Sequence, residues 1–311
     1  MDENFEKNTT LSDLTTLKIG GPAKEFIVVK TEQELIDAIK YAKENNLNFL
    51  VIGSGSNLLV SDEGFNGLII KNEVSGIEQN DQTLVVKSGT ILQDLLDFAN
   101  EKGLAGLQKM TGIPGTLGGA IFGNAGAYGQ TISDHIIQLT CLNPQTLKSI
   151  TLNKESSEFN YRDSIFKKNH FIILEVTFKL AQNDSHNLAK ESQEILEKRL
   201  VKYPKDINCP GSFFKNIVVE SLSKEILQKI PPEKIVFGKI PAGALLEDVG
   251  AKGQKLGDIE IATYHANLFI NKGDGKAADF YELAKTYYQK VKAKFGISLE
   301  PEVQLINLPP I

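Results

Sequence analysis

The residues with chemical reach fall in a few short stretches of the 311-residue chain. GSGSN at 53–57 follows an apolar run, and small residues there let backbone N–H groups come close to a phosphate. The plainer reading is a tight turn after a strand. The stretch also misses the dinucleotide fingerprint GxGxxG, because Leu58 stands where the third glycine belongs. TGIPGTLGGAIFGNAGAYG at 111–129 holds seven glycines and one proline, and neither glycine stretch contains the GK[ST] of a nucleoside triphosphate site. Two such turns can line an extended anionic cofactor with backbone donors, and neither offers a strong acid or base. That is the requirement of a flavin dinucleotide, whose ring carries the redox chemistry while the protein supplies position and electrostatics.

Three further stretches carry candidate side chains. In YRDSIF at 161–166, Arg162 has the planar fork that suits a carboxylate, although an ion pair with Asp163 is the simpler expectation. In CPGSFFKN at 209–216, Pro210 and Gly211 form a turn that projects Ser212, with Lys215 and Asn216 as anion and amide contacts. No neighbouring histidine suggests a triad, so Ser212 is not read as a nucleophile. LEPEVQLI at 299–306 reads as a strand with Leu299, Val303 and Leu305 on one face and Glu300, Glu302 and Gln304 on the other. His265 is expected to pack and Cys209 to be an inert thiol. The four histidines and two cysteines make neither HExxH nor CxxC, so no metal is expected and both thiols should be reduced.

These stretches need elements to hold them. Phe26–Val29 reads as a strand, Thr31 and Glu34 as the capping box of a helix with Leu35, Ile36, Ile39 and Ala42 on its apolar face, and Phe49–Ile52 as a strand parallel to the first. Leu84–Val86 begins a second such unit, with Thr90 as the cap and Gly103 as the stop of a helix bearing Ile91, Leu95 and Ala99. Residues 111–129 read as a structured loop, too glycine-rich for a regular helix. Strands return at 136–142 and 171–180, and the second alternates a buried and a wet face. AQNDSHN at 181–187 marks a boundary, after which a helix with Ala189, Ile195 and Leu196 on one face runs to Pro204. Another helix lies between Asp274 and Gly296, its aromatic stripe serving the core.

Composition restricts the partners. With 34 basic against 39 acidic residues the formal charge is -5, the wrong balance for a nucleic-acid binder. No apolar run reaches the roughly 18–20 residues needed to span a bilayer. The polar start MDENFEKN is unlike a secretory leader, which predicts a cytoplasmic protein.

Taken together, TTLKIGGPA (15–23), IGSGSNLL (52–59), the 112–129 glycine segment, YRDSIF, GSFFKN and LEPEV occur in the order of the UDP-N-acetylenolpyruvoylglucosamine reductase family. The resemblance runs from about residue 10 to 306 and is weakest at 217–240. It implies an α+β fold: a vanillyl-alcohol-oxidase/PCMH-type FAD-binding domain in two subdomains, 1–70 and 71–183, and a C-terminal substrate domain, 184–311. It implies noncovalent FAD reduced by NADPH, in ping-pong order, and reduction of UDP-N-acetylglucosamine enolpyruvate to UDP-N-acetylmuramate for peptidoglycan synthesis, by a monomer.

Site residues carry over by motif. Arg162 matches the arginine that binds the enolpyruvyl carboxylate, Ser212 the serine that gives a proton to C2, and Glu302 the glutamate that hydrogen-bonds and stabilises the enolised carboxylate. Gly53, Ser54, Gly55, Ser56, Asn57 and Leu58 match the first FAD loop. Gly112, Ile113, Pro114, Gly115, Thr116, Gly118, Gly119, Ala120, Asn124, Gly126, Ala127 and Tyr128 match the second. Tyr161, Arg162, Gly211, Lys215 and Asn216 fall on the substrate side. The longer form of the family has an extra tyrosine loop after the strand corresponding to 171–180; here only AQNDSHN intervenes, so Arg199, Lys202 and Lys205 become the candidates for the diphosphate. Two other readings stay open: an FAD-dependent sugar or alcohol oxidase, and a nucleotide- or flavin-binding module without turnover.

Overall fold

The computed structural model describes residues 5–311, so the start of MDENFEKN lies outside the described residues. The chain is α+β and packs as two compact units. Of the described residues, one takes 5–9, 24–54 and 66–201, the other 10–23, 55–65 and 202–311. The GSGSN stretch is divided between them after Ser54.

The first unit is built on two sheets. Along the smaller, the strands run Glu6–Thr10, Pro22–Val29, Phe65–Asn72 and Phe49–Ile52. Phe65–Asn72 thus separates the two strands expected to pair, and it is the one lying parallel to Phe49–Ile52, with Phe49 opposite Leu68. The helix Glu32–Glu44 covers this sheet. Its capping box is formed as expected, Glu34 N–H donating to Thr31 Oγ1 (3.2 Å) and Thr31 N–H to Glu34 Oε2 (3.1 Å). Leu35, Ala38, Ile39 and Ala42 enter the core beside Leu68 and Ile70.

The larger sheet is antiparallel throughout, in the order Lys148–Asn153, Ile136–Asn143, Ile172–Lys179, Thr83–Lys87, Ile77–Asn80. Leu174, Val176, Phe178 and Leu180 are buried, as their alternation requires. The helix beside it is Leu92–Glu101, and its start differs from expectation. Thr90 does not cap it: the hydroxyl instead accepts from Gly76 N–H (3.1 Å), and Ile91, the residue at the cap, is 43% exposed. Gly103 does end it, at φ +68, a conformation that costs glycine nothing. Within the glycine segment a short helix forms after all, Leu117–Phe122, because Leu117, Ala120 and Ile121 bury one side. The helix Ser185–Lys202 also belongs to this unit and buries Leu188, Ser192 and Ile195, not Ala189, which is exposed. Asn100 Nδ2 donates to Ser192 Oγ (2.9 Å). Composition therefore changes at 181–187, where strand gives way to helix, and packing changes at 201/202.

The second unit centres on four phenylalanines. Phe213 lies 4.7 Å from Phe214, 5.0 Å from Phe280 and 5.4 Å from Phe269 between ring centroids. Burial of each ring is worth roughly 1.5–3 kcal/mol, so two adjacent anchors fix the chain at 213–214 firmly. Phe280 comes from the helix Ala277–Phe295, whose stripe is core as expected. That helix is capped from far away, Asp62 accepting from Ala277 N–H (2.9 Å) and Ala278 N–H (3.0 Å). The strand expected over 299–306 is shorter: only Gln304–Ile306 pairs regularly, in parallel with Leu58–Val60, while Pro301 pairs with Phe214 in an isolated bridge. Among the described residues no helix is long and apolar enough to cross a membrane, and no cluster of three or more His, Cys, Asp or Glu could hold a metal ion.

Candidate active site

Arg162 sits in a tight turn of the first unit. Asn160 and Asp163 exchange backbone hydrogen bonds (3.0 and 3.2 Å), which puts Tyr161 and Arg162 at the tip with Arg162 at φ +53. A left-handed arginine costs about 1 kcal/mol or more, so the turn must be held from outside. Three side chains do this, all between the turn and the glycine segment. Asn124 Nδ2 donates to Asn160 O (2.8 Å), Arg162 Nη2 to Gly126 O (2.7 Å), and Ser164 Oγ to Phe122 O (2.7 Å). The guanidinium also lies 5.3 Å from the Tyr161 ring centroid. Lys167 Nζ donates to Arg162 O (2.7 Å).

The glycines are not all required for one reason. A Cβ on Gly53 would come 2.3 Å from Thr116 Oγ1, and one on Gly55, at φ +64, would come 2.0 Å from Leu14 O. Protein packing alone accounts for both. Gly119 and Gly123 differ, since the nearest atoms to a Cβ there are Thr116 Oγ1 at 3.7 Å and Gly119 O at 3.6 Å. This side of the short helix is therefore open to a ligand. The neighbouring Asn124 is 4% exposed, and its Oδ1 is buried with no hydrogen-bond partner. A buried acceptor left this way costs about 1–3 kcal/mol. An open glycine face and an unsatisfied acceptor in one loop fit a planar heterocycle that carries an N–H, which the flavin ring is.

The rest of the second loop is braced internally. Gly112 N–H donates to Gln93 Oε1 (2.9 Å), Ile113 N–H to Met110 O (3.0 Å), and Gly115 O accepts from Leu92 N–H (3.0 Å). Tyr128 and Gly129, both at positive φ, make the two-residue tip between Gly126–Ala127 and Gln130–Thr131, leaving Tyr128 48% exposed. Arg199 packs on this loop as well: a Cβ on Gly112 would lie 3.3 Å from its Nε.

Ser212 and Glu302 come together in the second unit through backbone. Gly211, at φ +85, turns the chain into 212–215. On one side Phe213 N–H donates to Asn267 O (2.9 Å), and the Asn267 side chain forks onto Phe214, accepting from its N–H (2.9 Å) and donating to its carbonyl (2.8 Å). On the other, Glu302 N–H donates to Phe213 O (2.7 Å) and Lys215 N–H to Glu300 O (2.9 Å). Asn57 completes the arrangement: its Nδ2 donates to Glu302 O (3.1 Å) and its own carbonyl accepts from Gln304 N–H (2.9 Å). Asn57, a residue of the expected first FAD loop, thus also braces the main chain at Glu302. Lys215 Nζ is ion-paired with Glu300, and Asn216 Oδ1 accepts from Ala242 N–H (3.2 Å).

Tyr203 is the contact that sequence reasoning missed. Its hydroxyl lies 2.9 Å from Ser212 Oγ, and its ring lies 6.2 Å from that of His265 and 5.7 Å from Lys202 Nζ. Nothing local in KRLVKYPK points to this, because Ser212 reaches it only once the chain has folded back. Burial pushes the His265 imidazole down to about 4, helped by the charge on Lys202, so the ring is neutral. Its Nδ1 accepts from Asn267 N–H (3.1 Å), which leaves the proton on Nε2, a buried atom without a hydrogen-bond partner. Burial also raises Cys209, keeping it a thiol.

Residues 23–146 match the profile of an FAD binding domain, and 203–306 that of the UDP-N-acetylenolpyruvoylglucosamine reductase C-terminal domain. The chain is 37% identical, over 96% of both lengths, to UDP-N-acetylenolpyruvoylglucosamine reductase of Solibacter usitatus. It is 32% identical to that of Clostridium novyi, over 98% of this chain and 93% of the other. Among solved structures, the Thermus caldophilus reductase superposes with a TM-score of 0.76 at 29% identity, covering 96% of this chain and 97% of its own.

Proposed function

The chain belongs to the UDP-N-acetylenolpyruvoylglucosamine reductase family, and from that premise we propose that it reduces UDP-N-acetylglucosamine enolpyruvate to UDP-N-acetylmuramate with NADPH. It is an FAD-dependent oxidoreductase. The full-length likeness to reductases carries this reading, since the C-terminal profile includes both Ser212 and Glu302. In the proposed assignment, 1–70 and 71–183 form the FAD-binding subdomains and 184–311 the substrate domain. The enzyme works as a monomer in the cytoplasm on peptidoglycan precursors.

The 53–58 and 112–128 loops would hold FAD, which when bound would supply hydride chemistry toward C3 of the enolpyruvyl group. Arg162 grips the carboxylate: one of its five N–H donors goes to Gly126 O, which sets the plane of the fork. As negative charge builds on C2 and the carboxylate, Glu302 hydrogen-bonds the oxygen that gains it, and the bond from its own N–H to Phe213 O keeps it in register with Ser212. Ser212 Oγ gives its proton to C2. Arg199, Lys202 and Lys205 are assigned to the diphosphate, with Tyr161, Gly211, Lys215 and Asn216 on the sugar and acid.

The test is anaerobic stopped-flow absorbance with sequential mixing. NADPH should bleach the bound flavin and the enolpyruvyl substrate should restore its colour. Ser212→Ala should leave bleaching intact and slow recovery by about 10²–10⁴-fold. Equal loss in both halves would remove the proton-donor role. Turnover with oxygen and an alcohol, without NADPH, would move the protein to the oxidases.

A further inference from the structure

A serine hydroxyl is a poor acid, about as weak as water at ~15.7, so an enzyme that takes a proton from one must return it promptly. Around Ser212, the hydroxyl placed to do so is that of Tyr203, 2.9 Å away. A phenol ionises near ~10, several units below the serine, so a proton on Tyr203 moves readily to a serine oxygen that has just lost its own. We propose that Tyr203 is the positioning residue for Ser212: it donates its O–H to Ser212 Oγ, aims the serine proton outward, and refills Ser212 after each transfer. The proposal rests on the proton-donor reading of Ser212.

The direction of the hydrogen bond decides what Ser212 can do. Were the serine the donor, its only proton would point at Tyr203 and away from any carbon. With Tyr203 as donor, the serine proton is presented elsewhere and the tyrosine proton stands behind it. The step then balances. The Ser212 O–H bond breaks as C2–H forms, the Tyr203 O–H bond breaks as Ser212 O–H re-forms, and the phenolate takes a proton from water. The reductant of the proposed reaction supplies the hydride at C3, so no other reactant is needed.

The surroundings suit a residue that ionises briefly and stays in place. Tyr203 packs with Ile207 and Cys209 against Ala262, Leu268 and Ile270, which holds the ring. Lys202 Nζ lies 5.7 Å from the ring centroid, a cation to offset a passing phenolate. His265, Cys209 and Tyr264 do not compete. His265, at 6.2 Å between rings, is neutral with its proton on Nε2, and Cys209 and Tyr264 are both raised by burial, so each keeps its proton. Ser212 cannot drift, because Phe213 and Phe214 are anchored on both sides by backbone and core.

The experiment uses the full-length holoenzyme with Tyr203→Phe and with a series of fluorotyrosines of decreasing phenol pKa at position 203. Phenylalanine keeps the ring packing and removes only the hydroxyl. Recovery of flavin colour by the enolpyruvyl substrate should slow about 10–100-fold in Tyr203→Phe, with bleaching by NADPH unchanged. Across the fluorotyrosines, the alkaline limb of the recovery rate should move down with the phenol pKa, which a purely structural hydrogen bond would not produce. A second readout needs no turnover: in substrate-free protein the fluorine resonance of residue 203 and its titration should shift on Ser212→Ala. If Ser212→Ala slows recovery while Tyr203→Phe and the fluorotyrosines leave rate and limb unmoved, the Tyr203 role is overturned and the serine role stands. If Tyr203→Phe slows recovery but the limb stays fixed, the refilling role is overturned. If wild type never recovers colour with this substrate, or Ser212→Ala recovers normally, the underlying reading of the reaction fails instead.

Discussion

Arg162 and Ser212 are both held against backbone, by different means. Around Arg162, the three bonds that fix the turn are side chains reaching to carbonyls 36, 36 and 42 residues away in sequence. Phe159 and Phe166 pack on either side of the turn, but the tip itself hangs on these polar bonds, and one partner, Asn124, keeps a buried oxygen unsatisfied. Around Ser212, backbone pairs with backbone on both sides, the asparagine fork spans 53 residues, and the brace from Asn57 to Glu302 spans 245. Two buried phenyl rings follow directly. The first arrangement can loosen one bond at a time and suits a residue that must close on a ligand. The second gives way only if its core does, which suits a short, exact proton path.

If that contrast is right, the largest single effect should come from Asn267. Asn267→Leu leaves the Phe214 N–H and C=O buried without partners, at about 1–3 kcal/mol for each group, so roughly 2–6 kcal/mol in all. A thermal melt should show it, and Asn267→Asp, which keeps the acceptor for Phe214 N–H, should lose less. An unchanged melting temperature for Asn267→Leu would mean the backbone ladder needs no fork.

The next effect concerns acid. The folded His265 titrates near 4 against ~6.5 unfolded, so the unfolded chain binds the proton first as pH falls. Its contribution is complete above about 6.5, declines through the window down to 4, and changes no further below. The full span at ~1.4 kcal/mol per pH unit bounds the loss at about 3.5 kcal/mol, and partial solvent access to the ring lowers it to about 1–3. Denaturant midpoints at pH 7.5 and 4.5 should converge when His265→Gln is compared with wild type. If the variant keeps the full acid dependence, the carboxylates are its source.

What could be read in the sequence follows the same division. The Thr31–Glu34 box, the alternation from Leu174 to Leu180 and the stripe of 277–295 were legible because both partners of each interaction lie within a turn or two of one element. Thr90 was misread because its hydroxyl goes to Gly76, fourteen residues back, instead of to the helix it precedes. Phe65–Asn72 enters between two strands that looked adjacent, and Pro301 interrupts an apparently continuous strand to pair with Phe214. At the candidate site, the glycine density pointed to the cofactor and the family motifs to Arg162, Ser212 and Glu302. The partners that position them did not show. Tyr203, Asn267 and the bracing role of Asn57 depend on which strands meet, and no local period or cap encodes that.

The smallest effect separates cofactor contact from turn geometry. Asn124 sits at φ +42, which glycine adopts without strain, so Asn124→Gly removes the amide and spares the backbone. It deletes two things at once, the bond to Asn160 O and the unsatisfied Oδ1. Ser164→Ala loosens the same turn through its bond to Phe122 O and leaves Oδ1 in place. If Oδ1 accepts from bound flavin, Asn124→Gly should raise the FAD dissociation constant about tenfold, or ~1.4 kcal/mol, and Ser164→Ala less than about twofold, by flavin fluorescence titration. Equal weakening by both would trace the effect to the turn, and the acceptor would then be buried for some reason other than the cofactor.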